Sequence, residues 1–467
     1  MPPKRISKET TPIPGKPTHE PIPIMFRFFK SDFYNFEATR ILSSASAEGC
    51  EIAEFVEAVS KIREHDPESW YNAWHEQSQR AEAISRDAIR AGHVDAARKA
   101  LLRASNYARA SGYMLPWAGQ DERVLQTAER SISLFRAAIP YMDCRVMVLE
   151  IPYQDGILMP AYLYLPSAAG RQVAGGGGPG TKGTPVIVVP GGADATQEEL
   201  YFVFVSTGVS LGYAVVTFDG PGQGLVLKKH RVVMRPDFEA VTSTVLDHVQ
   251  HMAAANPDLG LDMDRVGILG ASMGAYYALR SSVDPRVKAC VSIDPFYGLW
   301  RLARTRMPSW YASLWTSGWL PDSVLNASIY LQMRLHFPTR WEFQLGMAMT
   351  GTATPGDTLR RFRDFDLDVA PDGKGPIVDR VRCPVLLTGA SRSVYASANE
   401  STIAIYNALS GVSESQKEVW IPEEIGNGGM TAKVGAWGLL SHKTFRFFDR
   451  WLHVSRDKAE GNGHVCI

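Results

Sequence analysis

A nine-residue stretch, Gly267-Ile268-Leu269-Gly270-Ala271-Ser272-Met273-Gly274-Ala275, limits what this chain can fold into more than any other. The apolar run Val266–Leu269 predicts a buried strand, and the run Ala275–Leu279 predicts a helix. Gly270-Ala271-Ser272-Met273-Gly274 joins them with a sharp turn that lifts the serine hydroxyl above the sheet edge. The two glycines leave room where a side chain would strike strand or helix. Met273 opens the helix, where N–H groups lack intrahelical acceptors, so its amide can serve a developing oxyanion. The plainer alternative is a glycine-rich turn carrying an ordinary serine. The strand before it and the helix after it favour a nucleophile.

The rest of the chain arranges itself around this turn. Residues 1–32, with a Pro-, Lys- and Thr-rich start, are expected to form a disordered arm. Residues 33–140 carry helical spacing, as in Ile52, Phe55, Val56, Val59 and Ile62, and Asp66-Pro67 reads as a helix start. They predict an all-helical N-terminal domain whose Trp70, Trp74 and Trp117 pack a core. From Cys144 the period changes. Arg145–Pro152 and Ile157–Leu165 read as a hairpin about Asp155-Gly156. Short buried strands follow at 185–189, 214–218, before Ser272, and at 289–293, 384–387 and 418–421, and a last helix runs through Leu440, Phe445, Phe448 and Leu452. Alternation of this kind predicts an α/β fold, a mostly parallel sheet with helices on both faces. Its two parts are residues 141–294 and 379–456. Between them, 295–378 breaks the rhythm and is rich in Trp, Tyr, Met and Arg. It is expected to be a helical lid over the carboxyl ends of the strands, with Trp300 and Trp310 facing an apolar, polyketide-like substrate. Residues 168–184 read as a mobile glycine-rich loop and 457–467 as a tail.

Composition narrows the partners. Lys+Arg and Asp+Glu both number 49, so no charge excess points to nucleic acid or an anionic membrane. No apolar run nears the ~18 residues of a membrane span, and the N-terminus lacks an apolar signal segment. Five scattered cysteines without a C-x-x-C predict a reduced, cytoplasmic protein with neither metal nor cofactor. A homodimer is the assembly considered.

Several motifs coincide with the turn: Gly191-Gly192-Ala193-Asp194-Ala195-Thr196-Gln197-Glu198-Glu199-Leu200, Phe218-Asp219-Gly220-Pro221-Gly222-Gln223-Gly224, Arg235-Pro236-Asp237, and Pro285-Arg286-Val287-Lys288-Ala289-Cys290. In this order and spacing the chain, over about residues 33–455, resembles one branch of the α/β-hydrolases. That branch holds the fungal fusarin- and cytochalasan-cluster hydrolases, the fungal pigment hydrolases that shorten polyketides, and the dihydroxypseudooxynicotine hydrolase of nicotine breakdown. The resemblance implies an α/β-hydrolase fold, Ser272 as nucleophile, and an oxyanion hole from the amide of Met273 and one from Gly192 or Ala193. Asp194 matches an acidic position close to that hole, with a helix N-cap as the alternative. Asp219 reads as a turn-shaping residue.

The pattern then breaks. The triad acid is expected after the 384–387 strand, where the chain reads Thr388-Gly389-Ala390-Ser391-Arg392. The base histidine is expected in Gly426-Asn427-Gly428-Gly429-Met430-Thr431-Ala432-Lys433-Val434-Gly435-Ala436, which contains none. The histidines after Ser272 are His336, His442, His453 and His464, and His336 and His442 are the candidate bases, with Asp294 as a further acid/base candidate. Losing the histidine of such a triad costs about 10⁶ in kcat, while a hole alone still polarises a carbonyl. Three readings follow. One is a hydrolase of a fungal secondary-metabolite pathway acting on a polyketide or polyketide–amino-acid carbonyl through Ser272. The second is a non-hydrolytic cyclase or lyase using the hole and a carboxylate. The third is a binding protein with a dead site.

Overall fold

The computed structural model describes residues 27–117, 121–168, 170, 183–395 and 397–456. The glycine-rich loop and the tail expected from the sequence lie almost wholly outside them. Among the described residues eight strands form one sheet: β1 (Arg145–Pro152), β2 (Leu158–Leu165), β3 (Thr184–Pro190), β4 (Ala214–Phe218), β5 (Leu261–Ala271), β6 (Val287–Ile293), β7 (Val385–Thr388) and β8 (Lys417–Trp420). Their order is β1-β2-β4-β3-β5-β6-β7-β8. Only β2 runs against the others, because the Asp155-Gly156 turn returns the chain on itself, with both residues at positive φ. Strands β3 and β4 are buried along their whole length, as a run of β-branched residues covered on both faces requires. The chain leaves β3 outward to β4 and comes back to β5 on its other side, so the carboxyl ends of β3 and β5 diverge at a topological switch point.

Most strands fall within a residue or two of their sequence expectation. Strand β5 does not: it begins at Leu261, five residues before its apolar run. Asp262, Asp264 and Arg265 hide that start, and Arg265 is buried there with its charge paired to Asp262 at 2.7 Å.

The N-terminal domain is helical: α1 (Asp32–Ser43), α2 (Ile52–Lys61), α3 (Pro67–Arg90), α4 (Val94–Ser111) and α5 (Arg123–Ala138). Asp66 caps α3 by accepting from the amides of Glu68 and Ser69, and Pro67 supplies the pre-set first residue. Trp70 and Trp74 are fully buried between helices, and the Trp70 indole N–H donates to the Ala110 carbonyl at 2.7 Å. Of the arm expected over 1–32, residues 1–26 lie outside the described residues, and 27–32 dock on the helices. Phe28 meets Phe55 edge-on at 4.9 Å and Phe29 is buried, since two adjacent aromatics give this stretch enough apolar surface to dock.

Helix α6 (Phe238–Ala255) and α7 (Met273–Ser281) pack beside the central strands, and α13 (Trp437–Trp451) closes the sheet with Leu440, Phe445 and Phe448 buried. The interruption after β6 is helical, as expected: α8 (Leu299–Arg304), α9 (Ser309–Thr316), α10 (Asp322–Leu335), α11 (Phe337–Thr350) and α12 (Pro355–Arg361). Its two ends are joined by a short ladder, the Leu299 amide donating to the Phe365 carbonyl and the Leu367 amide to the Tyr297 carbonyl. Among the described residues no helix is long and apolar enough to cross a membrane.

Trp70→Phe should lower stability by about 1–2 kcal/mol, from lost packing and the lost indole hydrogen bond, read as a fall in the urea midpoint without a change in slope.

Candidate active site

Ser272 sits between β5 and α7 with φ 56° and ψ −117°, a left-handed conformation that no β-branched residue would tolerate and that costs on the order of 1–3 kcal/mol. Its amide donates to the Ile293 carbonyl at 2.9 Å, which ties the turn to the end of β6. The glycines of the motif are needed by contact. A Cβ on Gly270 would run into the Gly274 carbonyl, and one on Gly274 would stand 2.7 Å from the Pro190 carbonyl. The turn after β5 therefore packs backbone to backbone against the loop after β3.

That loop is fixed from below by Gln223. Its side-chain amide donates to the carbonyls of Gly191 (2.5 Å) and Gly192 (3.3 Å) and accepts from the Gly220 amide (2.8 Å). In trans peptides the N–H points opposite the C=O, so the amides of Gly192 and Ala193 face away from Gln223. Ala193 lines the cavity above Ser272. Asp219 is structural, as its motif suggested: its carboxylate accepts from the amides of Gln197 and Leu225, and a Cβ on Gly224 would collide with it. Burial, with the charge of Glu198 nearby, pushes the Asp219 carboxyl up to about 7.

Asp194 is no N-cap: the short helix that follows, Gln197–Leu200, has Thr196 at its cap. Its carboxylate lines the cavity and accepts from Arg40 (2.6 Å) and from the Tyr113 hydroxyl. Both partners come from the N-terminal domain. Arg40 also pairs with Glu199 (2.6 Å) and Glu37 (3.4 Å), and the Tyr113 hydroxyl oxygen lies 3.0 Å from the Glu37 carboxyl. Burial opposes the charge on Asp194, but Arg40 and Tyr113 hold its carboxyl below the usual range. Burial pushes Glu37 up to about 7 against the pull of Arg40.

Asp294 follows β6, at positive φ, and lines the same cavity. One carboxylate oxygen accepts from the Lys433 ammonium and the Thr388 hydroxyl, both at 2.8 Å; the other is buried without a partner. Lys433 is fully buried, and burial pulls its amine below the usual value against the attraction of Asp294.

The cavity holds about 340 Å³. Its floor is Ser272, Met273, Asp194 and Asp294, and its roof includes Leu302, Met307, Tyr311, Trp341 and Met349 from the helices inserted after β6. No histidine is among the lining residues. His336 is exposed at the N-cap of α11, bonded to Thr339, and His442 is exposed on the outer side of α13, so neither reaches Ser272 as proposed from the sequence. His453 lies in a groove with Gly183, Leu261 and Lys288, at the starts of the strands and so at the opposite end of the sheet. His464 is outside the described residues.

Trp300 and Trp310 do not line the cavity either. Trp300 packs against Trp315 (5.6 Å between rings) in a small core of Trp315, Leu325, Ile329 and Leu359, and Trp310 is 65% exposed. Helices that stand off the sheet must bury apolar surface among themselves, and this consumes the tryptophan that sequence position alone assigned to a ligand. The tryptophan at the site is Trp341, stacked on Tyr113 at 4.9 Å with its N–H on the Tyr113 carbonyl (2.8 Å). Arg40, Tyr113 and Lys433 were not singled out from the sequence. The one readable signal is Lys433, a lone cation in a glycine-rich loop where a histidine was sought.

A serine on a strained strand-to-helix turn, at the switch point of a mostly parallel eight-stranded sheet and beneath inserted helices, defines an α/β-hydrolase, and the chain belongs to the alpha/beta hydrolase family. The model of that family matches residues 186–417. Two relatives match nearly end to end. Alpha/beta hydrolase gkaG of Penicillium citrinum is 47% identical over 433 residues, 92% of this chain and 99% of the relative. Alpha/beta hydrolase xenA of Xenoacremonium sinensis is 45% identical over 434 residues, again 92% and 99%. Among solved structures, 2,6-dihydroxy-pseudo-oxynicotine hydrolase shares the fold, with TM-score 0.63 at 20% identity over 89% of this chain and 97% of that one.

Two outcomes test this arrangement. A raised carboxyl in the folded state binds protons that the unfolded chain has released, so stability falls as pH rises from about 4.5 to about 7. Glu37→Gln should flatten part of that fall, measured by urea midpoints at pH 5 and pH 8. An apolar ligand in the cavity should quench tryptophan emission, and Trp341→Phe should remove most of the quench while Trp310→Phe leaves it.

Proposed function

We propose that the protein is a cytoplasmic enzyme of fungal secondary-metabolite biosynthesis that acts on a carbonyl of a polyketide or polyketide–amino-acid intermediate. Ser272 is the nucleophile, and the amides of Met273 and of Gly192 or Ala193 stabilise the oxyanion. The observation that carries this reading is the strained backbone of Ser272 on the floor of a roofed, largely apolar cavity. The hydrolase names of its fungal relatives agree with it. The substrate's apolar body lies against Leu302, Met307, Trp341 and Met349, and its carbonyl oxygen sits at the amides. Asp194, held charged by Arg40, adds a hydrogen-bond acceptor beside the hole.

A second reading, a non-hydrolytic cyclase or lyase on the same scaffold, is favoured by one feature: the cavity offers carboxylates and no imidazole. A serine hydroxyl is a far weaker acid than a CH₂ between two carbonyls, and each pKa unit of mismatch costs about 1.4 kcal/mol. A carboxylate beside oxyanion donors therefore suits a carbon acid better than a hydroxyl, the pairing used by an aspartate base in ketosteroid isomerisation.

Incubation with linear aldehyde and ester intermediates, followed by mass, separates the two. Gain of water marks hydrolysis; an isomer or loss of water marks cyclisation. In the hydrolytic case Ser272→Ala should reduce turnover at least a hundredfold with little change in melting temperature. Near-normal turnover by the folded variant would refute covalent catalysis by Ser272.

A further inference from the structure

The loop between β8 and α13 is where a family histidine was expected, and its one inward-turned ionisable side chain is Lys433. The ammonium donates to the Asp294 carboxylate (2.8 Å) and to the Gly389 carbonyl (2.7 Å), and lies 5.3 Å from the Trp420 ring centre. To turn it inward the chain places two successive non-glycine residues, Ala432 (φ 52°) and Lys433 (φ 54°), in the left-handed region. Asp294 (φ 52°) and Ser272 (φ 56°) are there too. Among the described residues nine non-glycine residues have positive φ, and these four converge on one corner of the site. Strain concentrated in this way marks residues whose side-chain direction matters more than their backbone comfort.

The direction it enforces is specific. Thr388 and Lys433 saturate one oxygen of Asp294, and the Asp294 amide is fixed on Thr388 (3.1 Å to the carbonyl). The other oxygen, Oδ2, is buried and without a partner on a residue that lines the cavity. Asp294 is also the lateral neighbour of Ser272, since the Ser272 amide bonds the carbonyl of Ile293, the residue just before it.

We propose that Lys433 is the positioning residue that replaces the family histidine: by holding one oxygen of Asp294 it leaves Oδ2 as the acceptor of the Ser272 proton. This rests on the reading of Ser272 as nucleophile. As the Ser272 Oγ bonds to the carbonyl carbon, its proton passes to Oδ2 and the carbonyl π pair moves onto the oxygen at the amide donors. The departing group then takes the proton from Oδ2, and the charge pair with Lys433 is restored. Departure leaves Ser272 acylated; water then attacks the acyl carbon, gives its proton to Oδ2, and the Oγ–carbon bond breaks as that proton returns to Oγ, releasing the acid. A carboxylate is a weaker base than imidazole, so this serine should react more slowly than that of a histidine-bearing relative.

The test follows labelling of Ser272 by a fluorophosphonate, read as intact mass between pH 5 and pH 9, where the proton of Oγ passes to Oδ2 as the O–P bond forms and fluoride leaves. The other charged or titratable groups around the cavity are Asp194 with Arg40, Tyr113 and Glu37, the Arg306–Glu342 pair of the lid, Tyr311, and Tyr395. None of them contacts Lys433 in the hydrogen bonds and ion pairs of the described residues, so all stay in place when it is replaced. Expected are slow but measurable wild-type labelling, a tenfold or greater loss in Asp294→Asn, and in Lys433→Gln a limb that moves at least one pH unit higher. The sign follows because a buried carboxylate deprived of its cation takes up a proton more readily. Lys433→Arg, which keeps the charge, should keep the wild-type limb even if it melts earlier. Lys433→Gln retains two donors for the same acceptors; should it fail to fold, Thr388→Val, which leaves the cation, serves as the folded control against Lys433→Met. A limb that stays put in a folded neutral variant, or a wild type that never labels, overturns the proposal. A merely structural lysine would lower the melting temperature and leave the limb unmoved. Product formation by Ser272→Ala is measured separately, so failure of the nucleophile reading is distinguishable from failure of this one.

Discussion

The site depends on two pieces of backbone approaching more closely than side chains allow. Gly274 meets the carbonyls of Pro190 and Gly191, and Gly270 meets Gly274. This contact joins the carboxyl ends of β3 and β5 where the sheet's connections diverge, and it sets the floor of the cavity. Much else in the core follows from keeping it in place. Gln223 pins the carbonyls of the β3 loop, Asp219 braces the turn that carries Gln223, and the end of β6 holds the Ser272 amide. The motif around Asp219 thus acts on the chemistry from a distance, by fixing the peptide planes that face the substrate.

The N-terminal helices are part of the same construction. Arg40 crosses from α1 to Asp194, and Tyr113 both donates to Asp194 and stacks on Trp341. A buried guanidinium among three carboxylates is retained only where all its partners are present, so the helical domain and the hydrolase core share one electrostatic unit. The domain therefore braces Asp194 and Trp341, two residues that line the cavity, from outside it.

The sheet and its turn were readable because apolar runs and glycine spacing are local signals. The family motifs, the Ser272 turn, the Asp66-Pro67 helix start and the helical insertion all survive in the structure. The charged half of the site was not readable in the same way. Arg40 lies 154 residues from Asp194, and nothing local says that an α1 arginine will reach it. Asp294 was visible as a carboxylate after a strand; its partner Lys433 was hidden by a search for imidazole. Trp300 was misplaced for a related reason, since aromatic density in an insertion does not say which rings face inward and which pack on one another.

That division within the inserted helices means that the roof of the site is anchored in two different ways. Helix α11 is fastened to the N-terminal domain through Phe33, Tyr34 and Tyr113, whereas α9, α10 and α12 share the small core of Trp315, Leu325, Ile329 and Leu359. Partial unfolding proceeds along the boundaries of such units, and its free energy scales with the apolar surface each one buries. Helices α10 and α12 also pack on α11, and Phe343 of α11 lies against their core, so the outer part of the roof is anchored to the N-terminal domain through α11.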